Sequence, residues 1–166
     1  GVSTAGLQLA NHAGATVLAT AGSDQNCERA LSIGADLVCN NRTTDVTGGA
    51  REITPGAGVY MVFDLVGTAL FGASLFAIGV HGRLVNCGNA SGDEATIPSL
   101  GYLFHSGIKI LGSDPYGPEE MGPLWETFCA QDFEVIIDSE FPLEAAAEAQ
   151  DKMLASDFFG KIVLRP

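Results

Sequence analysis

Small residues at the start of the chain are the clearest candidates for chemistry. Gly1-Val2-Ser3 leads directly into a predicted helix. Such a turn lets backbone N–H groups approach a phosphate closely, and the positive end of the helix dipole points at the same anion. Gly1 and Ser3 leave space where a pyrophosphate would lie, and Val2 is expected to pack beneath it. The turn therefore favours dinucleotide binding, although small residues also begin helices for steric and capping reasons alone.

A second turn of small residues, Ala21-Gly22-Ser23, ends a predicted strand. At this position in dinucleotide-binding sheets, an acidic residue binds the ribose 2′-hydroxyl of NAD. No acid stands at the strand end; Gly22 leaves space, Ser23 offers a hydroxyl and an N–H, and Arg42 adds positive charge. These features favour the 2′-phosphate of NADP over NAD. In the alternative interpretation, Ser23 or Asp24 serves mainly as the N-cap of the next helix.

Two further turns follow predicted strands, at Asp64-Leu65-Val66-Gly67 and Cys87-Gly88-Asn89-Ala90. The carboxyl ends of parallel strands meet at one edge of a sheet, where ligands bind. Val66 and Asn89 are therefore candidate neighbours of a nicotinamide ring. Turn formation alone also explains the glycines in both segments.

No catalytic or metal-binding set is visible in the sequence. The histidines His12, His81 and His105 lie in different predicted elements, and each is expected to have a surface or packing role. The four cysteines lack the spacing of a metal knuckle. Cys39 and Cys87 lie in apolar runs and are predicted to be buried, reduced thiols. We therefore predict neither catalytic residues nor metal ligands in this chain.

Size and charge restrict the class of protein. The chain has 166 residues, enough for one well-buried domain, and a net charge of −12. Such a negative field repels nucleic-acid backbones, so a phosphate-bearing ligand must be held by local donors. Neither a membrane-spanning apolar run nor the basic start of a signal peptide is found, and the expected location is the cytoplasm.

Helix-like and strand-like segments alternate, which predicts an α/β fold with a doubly wound parallel sheet. The predicted strands are Ala15–Ala21, Leu37–Cys39, Val59–Leu65, Arg83–Cys87, Ile108–Leu111 and Lys161–Leu164. The predicted helices are Thr4–Ala13, Gln25–Ile33, Val46–Ile53, Ala69–Ile78, Leu100–Phe104, Pro118–Ala130 and Leu143–Ala155. Gly79–Gly82 is predicted to be a turn. In this strand order the central strand would precede Gly1, so the chain is expected to be most of one domain of a longer protein.

The ordered set of motifs resembles the nucleotide-binding domain of medium-chain dehydrogenases/reductases. It is closer to the quinone oxidoreductase-like branch than to the zinc alcohol dehydrogenases. The motifs are Gly1-Val2-Ser3 with Leu7-Gln8-Leu9-Ala10, residues 15–23 (ATVLATAGS), Ile33-Gly34-Ala35-Asp36, Val62-Phe63-Asp64, Gly82-Arg83-Leu84-Val85, Ile110-Leu111-Gly112-Ser113 and Phe159-Gly160-Lys161-Ile162-Val163-Leu164.

The resemblance implies a Rossmann domain that binds NAD(P)H, with a separate N-terminal substrate domain across the cleft. By position, it implies pyrophosphate contacts from Gly1, Val2, Ser3, Gly160 and Lys161, ribose contacts from Ala21, Gly22 and Ser23, and nicotinamide contacts from Val66, Asn89, Leu111 and Gly112. Lys161 is otherwise a surface lysine at the start of the last strand. Two residues depart from the pattern: Ser3 replaces a glycine, and Asn26 stands where NADP-preferring relatives often carry lysine.

The implied function is an NADP(H)-dependent oxidoreductase that transfers hydride to or from a quinone, enone, carbonyl compound or alcohol. The resemblance also implies a homodimer through edge strand 108–113, and no zinc is expected in this domain. One alternative is a stand-alone dinucleotide-binding module that senses redox state without turnover. Another is a methyltransferase-like domain that binds an adenosyl sulfonium.

Overall fold

A computed structural model describes residues 1–113, 116–131 and 133–166, in which helices and strands alternate as expected. The strands are β1 (Leu18–Ala21), β2 (Leu37–Asn40), β3 (Val59–Asp64), β4 (Ile78–Asn86), β5 (Lys109–Gly112), β6 (Ile137–Pro142) and β7 (Lys161–Arg165). The helices are α1 (Val2–His12), α2 (Asp24–Ser32), α3 (Val46–Ile53), α4 (Phe71–Ala77), α5 (Leu100–His105), α6 (Pro118–Ala130) and α7 (Ala146–Leu154), and a 3₁₀ turn at Leu143–Ala145 precedes α7.

The strands pair in parallel, which confirms the predicted α/β class, and they form three separate sheets. β1 pairs with β2, β4 lies between β3 and β5, and β6 pairs with β7. Helix α1 lies across two of these sheets. A Cβ atom built on Gly6 would lie 3.0 Å from the Phe63 ring of β3, while Leu7 packs with Val17 and Ala19 beside β1. In the part of the chain described, β1 and β3 each keep one edge without a strand partner.

Two apolar clusters hold these layers together. One fills the space between the β3–β4–β5 sheet and its helices, with Leu75, Ile78, Leu84 and Ile108 at its centre. Ile78 and Leu84 are fully buried, and burying a side chain of this size stabilises the fold by about 1.5–3 kcal/mol. The other cluster joins α1 and α2 to the β1–β2 sheet. These clusters fix the carboxyl ends of the strands, where the candidate site lies.

Strand β4 is longer than predicted, because residues 79–82 belong to the strand rather than to a separate turn. Val59 pairs with Ile78, whereas Met61 pairs with Arg83, so extra residues bulge from β4 between these pairs. His81 lies in this bulge at φ +60°, a conformation that ordinary strand residues avoid. The glycines correctly indicated irregular backbone, but the prediction that the strand begins after them was wrong.

The sequence did not predict β6. The predicted last strand, Lys161–Leu164, is present as β7, and it pairs with Ile137–Pro142 of β6. Two acidic residues, Asp138 and Glu140, interrupt the apolar character of β6. Both carboxylates form ion pairs in the folded chain, so their charges are compatible with a strand at this position.

Asp138 connects β6 to three other parts of the fold. One carboxylate oxygen lies 3.1 Å from the Arg29 guanidinium of α2 and accepts a 2.9 Å hydrogen bond from the Phe159 N–H. The other oxygen lies 2.7 Å from the Lys152 ammonium of α7. The Asp138 side chain is only 5% exposed. Burial alone would raise the pKa of this carboxyl, but hydrogen bonds from Lys152, Phe159 and Arg29 together lower it to about 2.

This lowered pKa predicts an acid-sensitive contribution to stability. Ionised Asp138 stabilises the folded chain fully above its unfolded pKa of about 4, and the contribution disappears as the pH falls toward 2. We expect Asp138→Asn to lower the free energy of unfolding by about 2 kcal/mol at pH 7. Urea unfolding of both proteins should show this difference shrinking between pH 4 and pH 2. A difference that stays constant over that range would contradict the assignment.

Candidate functional site

The opening glycine and Lys161 meet at the amino end of helix α1. Gly1 is the N-cap of α1, and its nitrogen donates a 2.7 Å hydrogen bond to the Gly160 carbonyl. A Cβ atom on Gly1 would lie 2.6 Å from the Cε and 2.7 Å from the Nζ of Lys161. A lysine ammonium and a helix N-terminus therefore face the same space, which suits an anion.

The residues around this junction leave the Lys161 charge available. Among the residues that the structure describes, Lys161 forms no ion pair with a carboxylate. Ser3 is exposed in the first turn of α1. Val2 is 55% exposed, and its packing beneath a pyrophosphate stays a prediction. Val2 lies in the first turn of α1 and is not one of the residues of the apolar cluster around Leu7.

Arg42 approaches the turn that ends β1. A Cβ atom on Gly22 would lie 3.2 Å from the Arg42 Nε, so the absence of a side chain at Gly22 makes room for the guanidinium. The predicted capping role of Ser23 is confirmed, because its hydroxyl accepts a 3.2 Å hydrogen bond from the Asn26 N–H. The Asp24 carboxylate accepts a 2.7 Å hydrogen bond from the Asn40 amide. Arg42 thus places a positive charge against Gly22, and the Asp24 carboxylate is already hydrogen-bonded to Asn40.

A buried carboxylate organises the turn after β3. Asp64 is 3% exposed, and one of its oxygens accepts hydrogen bonds from the N–H groups of Val66 at 2.9 Å and Gly67 at 3.1 Å. The Asn86 amide donates to the other oxygen at 3.4 Å and to the Gly88 carbonyl at 2.8 Å. Asp64 therefore holds the turns after β3 and β4 beside each other.

An open cavity of about 570 Å³ lies at the carboxyl ends of β4 and β5. Its lining residues are Asn86, Cys87, Gly88, Asn89, Asp93, Gly112 and Ser113. Cys87 is half-buried rather than buried as predicted, because β4 ends at Asn86 and leaves the thiol in the following turn. Cys39, in contrast, is buried as predicted. The cavity offers amide, hydroxyl and carboxylate groups to a polar ring substituent.

The structure brings most of the predicted site residues into three groups, one where α1 meets the start of β7 and two at the carboxyl ends of strands. Gly1, Gly160 and Lys161 form one cluster, and Gly22 with Arg42 forms another. Asn89 and Gly112 line the cavity, whereas Val66 lies in the adjoining turn and Leu111 is 42% exposed outside the lining. Ala21 is the last residue of β1. Sequence reasoning missed Asn86, Asp93 and Ser113, although their positions after the strands were a usable signal.

No group of three or more His, Cys, Asp and Glu side chains among the described residues is arranged to hold a metal ion. None of the described helices is long and apolar enough to cross a membrane.

Comparison with known protein families shows which family this chain belongs to. The model of the zinc-binding dehydrogenase family matches residues 1–130. The chain belongs to this family. The family lies within the medium-chain dehydrogenase/reductase superfamily, as the sequence motifs predicted.

Known relatives agree with this assignment. A quinone oxidoreductase from Salmonella typhimurium is 38% identical over 107 residues, covering 64% of this chain and 32% of that protein. The crystal structure of an NAD-dependent alcohol dehydrogenase matches with a TM-score of 0.90 at 32% identity, covering 100% of this chain and 48% of that one. Escherichia coli quinone oxidoreductase complexed with NADPH gives a TM-score of 0.87 at 27% identity, with coverage of 100% and 54%. The chain therefore spans between a third and about half of these proteins.

The position of Lys161 depends on Gly160, and this dependence can be tested by substitution. Gly160 has φ +106°, and a Cβ atom there would overlap the Ile136 carbonyl oxygen. We expect Gly160→Ala to lower the free energy of unfolding by at least about 1 kcal/mol. Gly72→Ala is the matched control, because a Cβ atom at this helical glycine meets only the Pro98 side chain, at an ordinary van der Waals distance of 3.8 Å. The control should be neutral or slightly stabilising in urea unfolding; equal losses in both variants would contradict the proposed strain.

Proposed function

We propose that this chain is the cofactor-binding domain of an NADP(H)-dependent oxidoreductase. The enzyme transfers hydride to or from a quinone, an enone or a related carbonyl compound or alcohol. The observation that carries the proposal is the placement of two cations in a chain of net charge −12. Lys161 lies against Gly1, and Arg42 lies against Gly22. NADP(H) carries phosphate groups at two separated points, and these two pairs supply a positive charge for each.

The pyrophosphate half of the proposal rests on the Gly1 junction. Backbone N–H groups in the first turn of α1 have no partner within the helix, so they are free to donate to phosphate oxygens. Lys161 adds a charge that the surrounding acidic protein does not otherwise provide at this point. The small side chain of Ser3 keeps the approach open.

The 2′-phosphate half rests on the Gly22 turn. Arg42 offers a planar guanidinium, the group best suited to bind two phosphate oxygens together. Ser23 retains its backbone N–H for the ligand while its hydroxyl caps α2. Asp24 is the residue that argues for NAD, but the Asn40 amide already binds its carboxylate. The balance of these groups favours NADP.

The cavity after β4 and β5 accommodates the nicotinamide half. When bound, the nicotinamide ring supplies or accepts the hydride at its C4 atom. The turns held by Asp64 fix the wall of the cavity, and Asn89 and Ser113 offer hydrogen bonds to the ring carboxamide. A proton donor for a carbonyl substrate is assigned to the substrate domain rather than to this chain.

We also propose that this chain is one domain of a longer protein. A further strand between β1 and β3 would pair both open edges, whose unpaired N–H and C=O groups are otherwise costly to bury. Because α1 already contacts both β1 and β3, this strand would lie beneath α1. The substrate domain would then close over the carboxyl edge and cover the exposed cavity.

Fluorescence titrations of the intact protein with NADPH and NADH test this function. We expect NADPH to bind more tightly than NADH. Arg42→Gln should weaken NADPH binding about tenfold or more and leave NADH nearly unchanged, because only NADPH carries the 2′-phosphate. Lys161→Met should weaken both cofactors by a similar factor, since both carry the pyrophosphate.

Arg165→Gln is the matched control, because it removes one exposed cation from β7 without touching either glycine turn. Its affinities should equal those of the wild type. Binding of NADH tenfold tighter than NADPH would overturn the cofactor assignment. NADPH binding without NADPH oxidation by any quinone or enone would favour the non-catalytic redox-sensing module.

We further propose that the protein dimerises through β5. This strand is the edge of its sheet, and its residues Lys109–Gly112 are exposed. Ile110 and Leu111 leave apolar surface on a strand whose outer edge has no partner among the described residues, which favours pairing with a second copy.

Sedimentation at micromolar concentration tests the dimer. The wild type should sediment as a dimer, whereas Ile110→Lys should shift the equilibrium to monomer, because it adds like charges to the strand pair. Leu124→Lys on the exposed side of α6 is the control and should remain dimeric. A monomeric wild type would rule out this interface.

A further inference from the structure

The turn that carries Lys161 is held in place by a network of hydrogen bonds. Asn26 donates to the Phe158 carbonyl at 3.3 Å, and the Gly160 carbonyl accepts from Gly1 at 2.7 Å. The Lys161 N–H donates to the Ile136 carbonyl at 2.9 Å. We call residues 158–161 the lysine turn. Its backbone is held from several sides, and this backbone sets the point from which the Lys161 side chain extends toward Gly1.

The charged member of this network is Asp138. Its buried carboxylate accepts from the Phe159 N–H at 2.9 Å and lies 3.1 Å from the Arg29 guanidinium. Arg29 in turn lies 5.9 Å from the centre of the Phe159 ring. Asp138 therefore holds the lysine turn through its backbone, and Arg29 holds it through the Phe159 side chain.

We propose that Asp138 is a positioning residue for the dinucleotide phosphates, acting through the lysine turn to keep the Lys161 ammonium beside Gly1. This inference rests on the proposed function, because it assumes that Lys161 binds the pyrophosphate. Asp138 itself does not contact the anion.

Losing the Asp138 charge should disturb the lysine turn because Arg29 and Lys152, which are partly buried, would lose their ionic partner. Replacing the carboxylate by an amide removes the charge that Arg29 and Lys152 share and weakens the bond to Phe159. Unpaired charges in a partly buried site move toward water, and the lysine turn is attached to the same carboxylate. Lys161 has a long flexible stem, so a small shift of its backbone lets the ammonium leave the site.

Glu140 provides a matched control on the same strand. It forms an exposed ion pair with Arg165, at 2.5 Å and 2.7 Å, and none of its hydrogen bonds reaches the lysine turn. Glu140→Gln removes the same kind of charge two residues away. Any difference between the two variants thus reports the connection to the turn rather than the loss of an acidic residue from β6.

The test is a double-mutant cycle in the intact protein, with NADPH affinity measured by fluorescence titration. We expect Asp138→Asn to raise the Kd for NADPH about tenfold, and Glu140→Gln to leave it unchanged. In a Lys161→Met background, Asp138→Asn should have no further effect. Adenosine 2′-monophosphate, which lacks the pyrophosphate, should bind Asp138→Asn and wild type equally.

Arg29→Gln is the second variant, because it loosens the same network without removing the carboxylate and should raise the Kd about threefold. It keeps the test valid where Asp138→Asn fails to fold. Unchanged NADPH affinity in the folded variants, additive losses with Lys161→Met, or an equal loss for adenosine 2′-monophosphate would each overturn the inference. A wild type that binds adenosine 2′-monophosphate but not NADPH would instead overturn the proposed pyrophosphate site and, with it, the proposed function.

Discussion

The contact between Gly1 and the lysine turn is the constraint on which the candidate site depends. It joins residues separated by 159 positions in the chain. A helix N-terminus and a lysine ammonium repel each other, so their approach is most favourable when an anion lies between them. The contact also fixes the start of α1, whose Gly6 and Leu7 then reach β3 and the β1–β2 sheet. Anion binding and the relative position of two sheets therefore depend on the same junction.

The distribution of positive charge is the reason that this junction is a candidate anion site. The chain has only eight lysine and arginine residues against twenty acidic ones. Within the described residues, five have side-chain bonds to carboxylates, carbonyls or tyrosine hydroxyls: Arg29, Arg51, Arg83, Lys152 and Arg165. Lys109 lies on the exposed edge strand β5. The remaining two, Lys161 and Arg42, lie against glycines. A protein with this net charge attracts phosphate only where its few cations are concentrated.

Local patterns predicted the elements well, and the tertiary arrangement less completely. The bounds of α3 and α6 agree with the prediction to the residue, because Asp45 and the Gly117-Pro118 step mark where these helices start. The glycine turns were predicted from their positions at a helix start and after strands, whereas Lys161 was implied by the family resemblance. Strand β6 was missed because Asp138 resembles a surface residue until Arg29 and Lys152, distant in sequence, are brought to it. A local sequence pattern does not show which distant residues will pair with Asp138. Neither the strand nor its connection to the site could therefore be inferred from the sequence.

Asn26 shows how the two phosphate sites are separated. It stands where NADP-preferring relatives often carry lysine, and its amide donates instead to the Phe158 carbonyl at the beginning of the lysine turn. A lysine here would place a third cation near the ribose, whereas the asparagine supports the turn that carries Lys161. In the proposed function, discrimination of the 2′-phosphate falls on Arg42, while affinity for the pyrophosphate falls on Lys161 and α1. Because different elements hold these two cations, we expect cofactor preference and overall cofactor affinity to change independently.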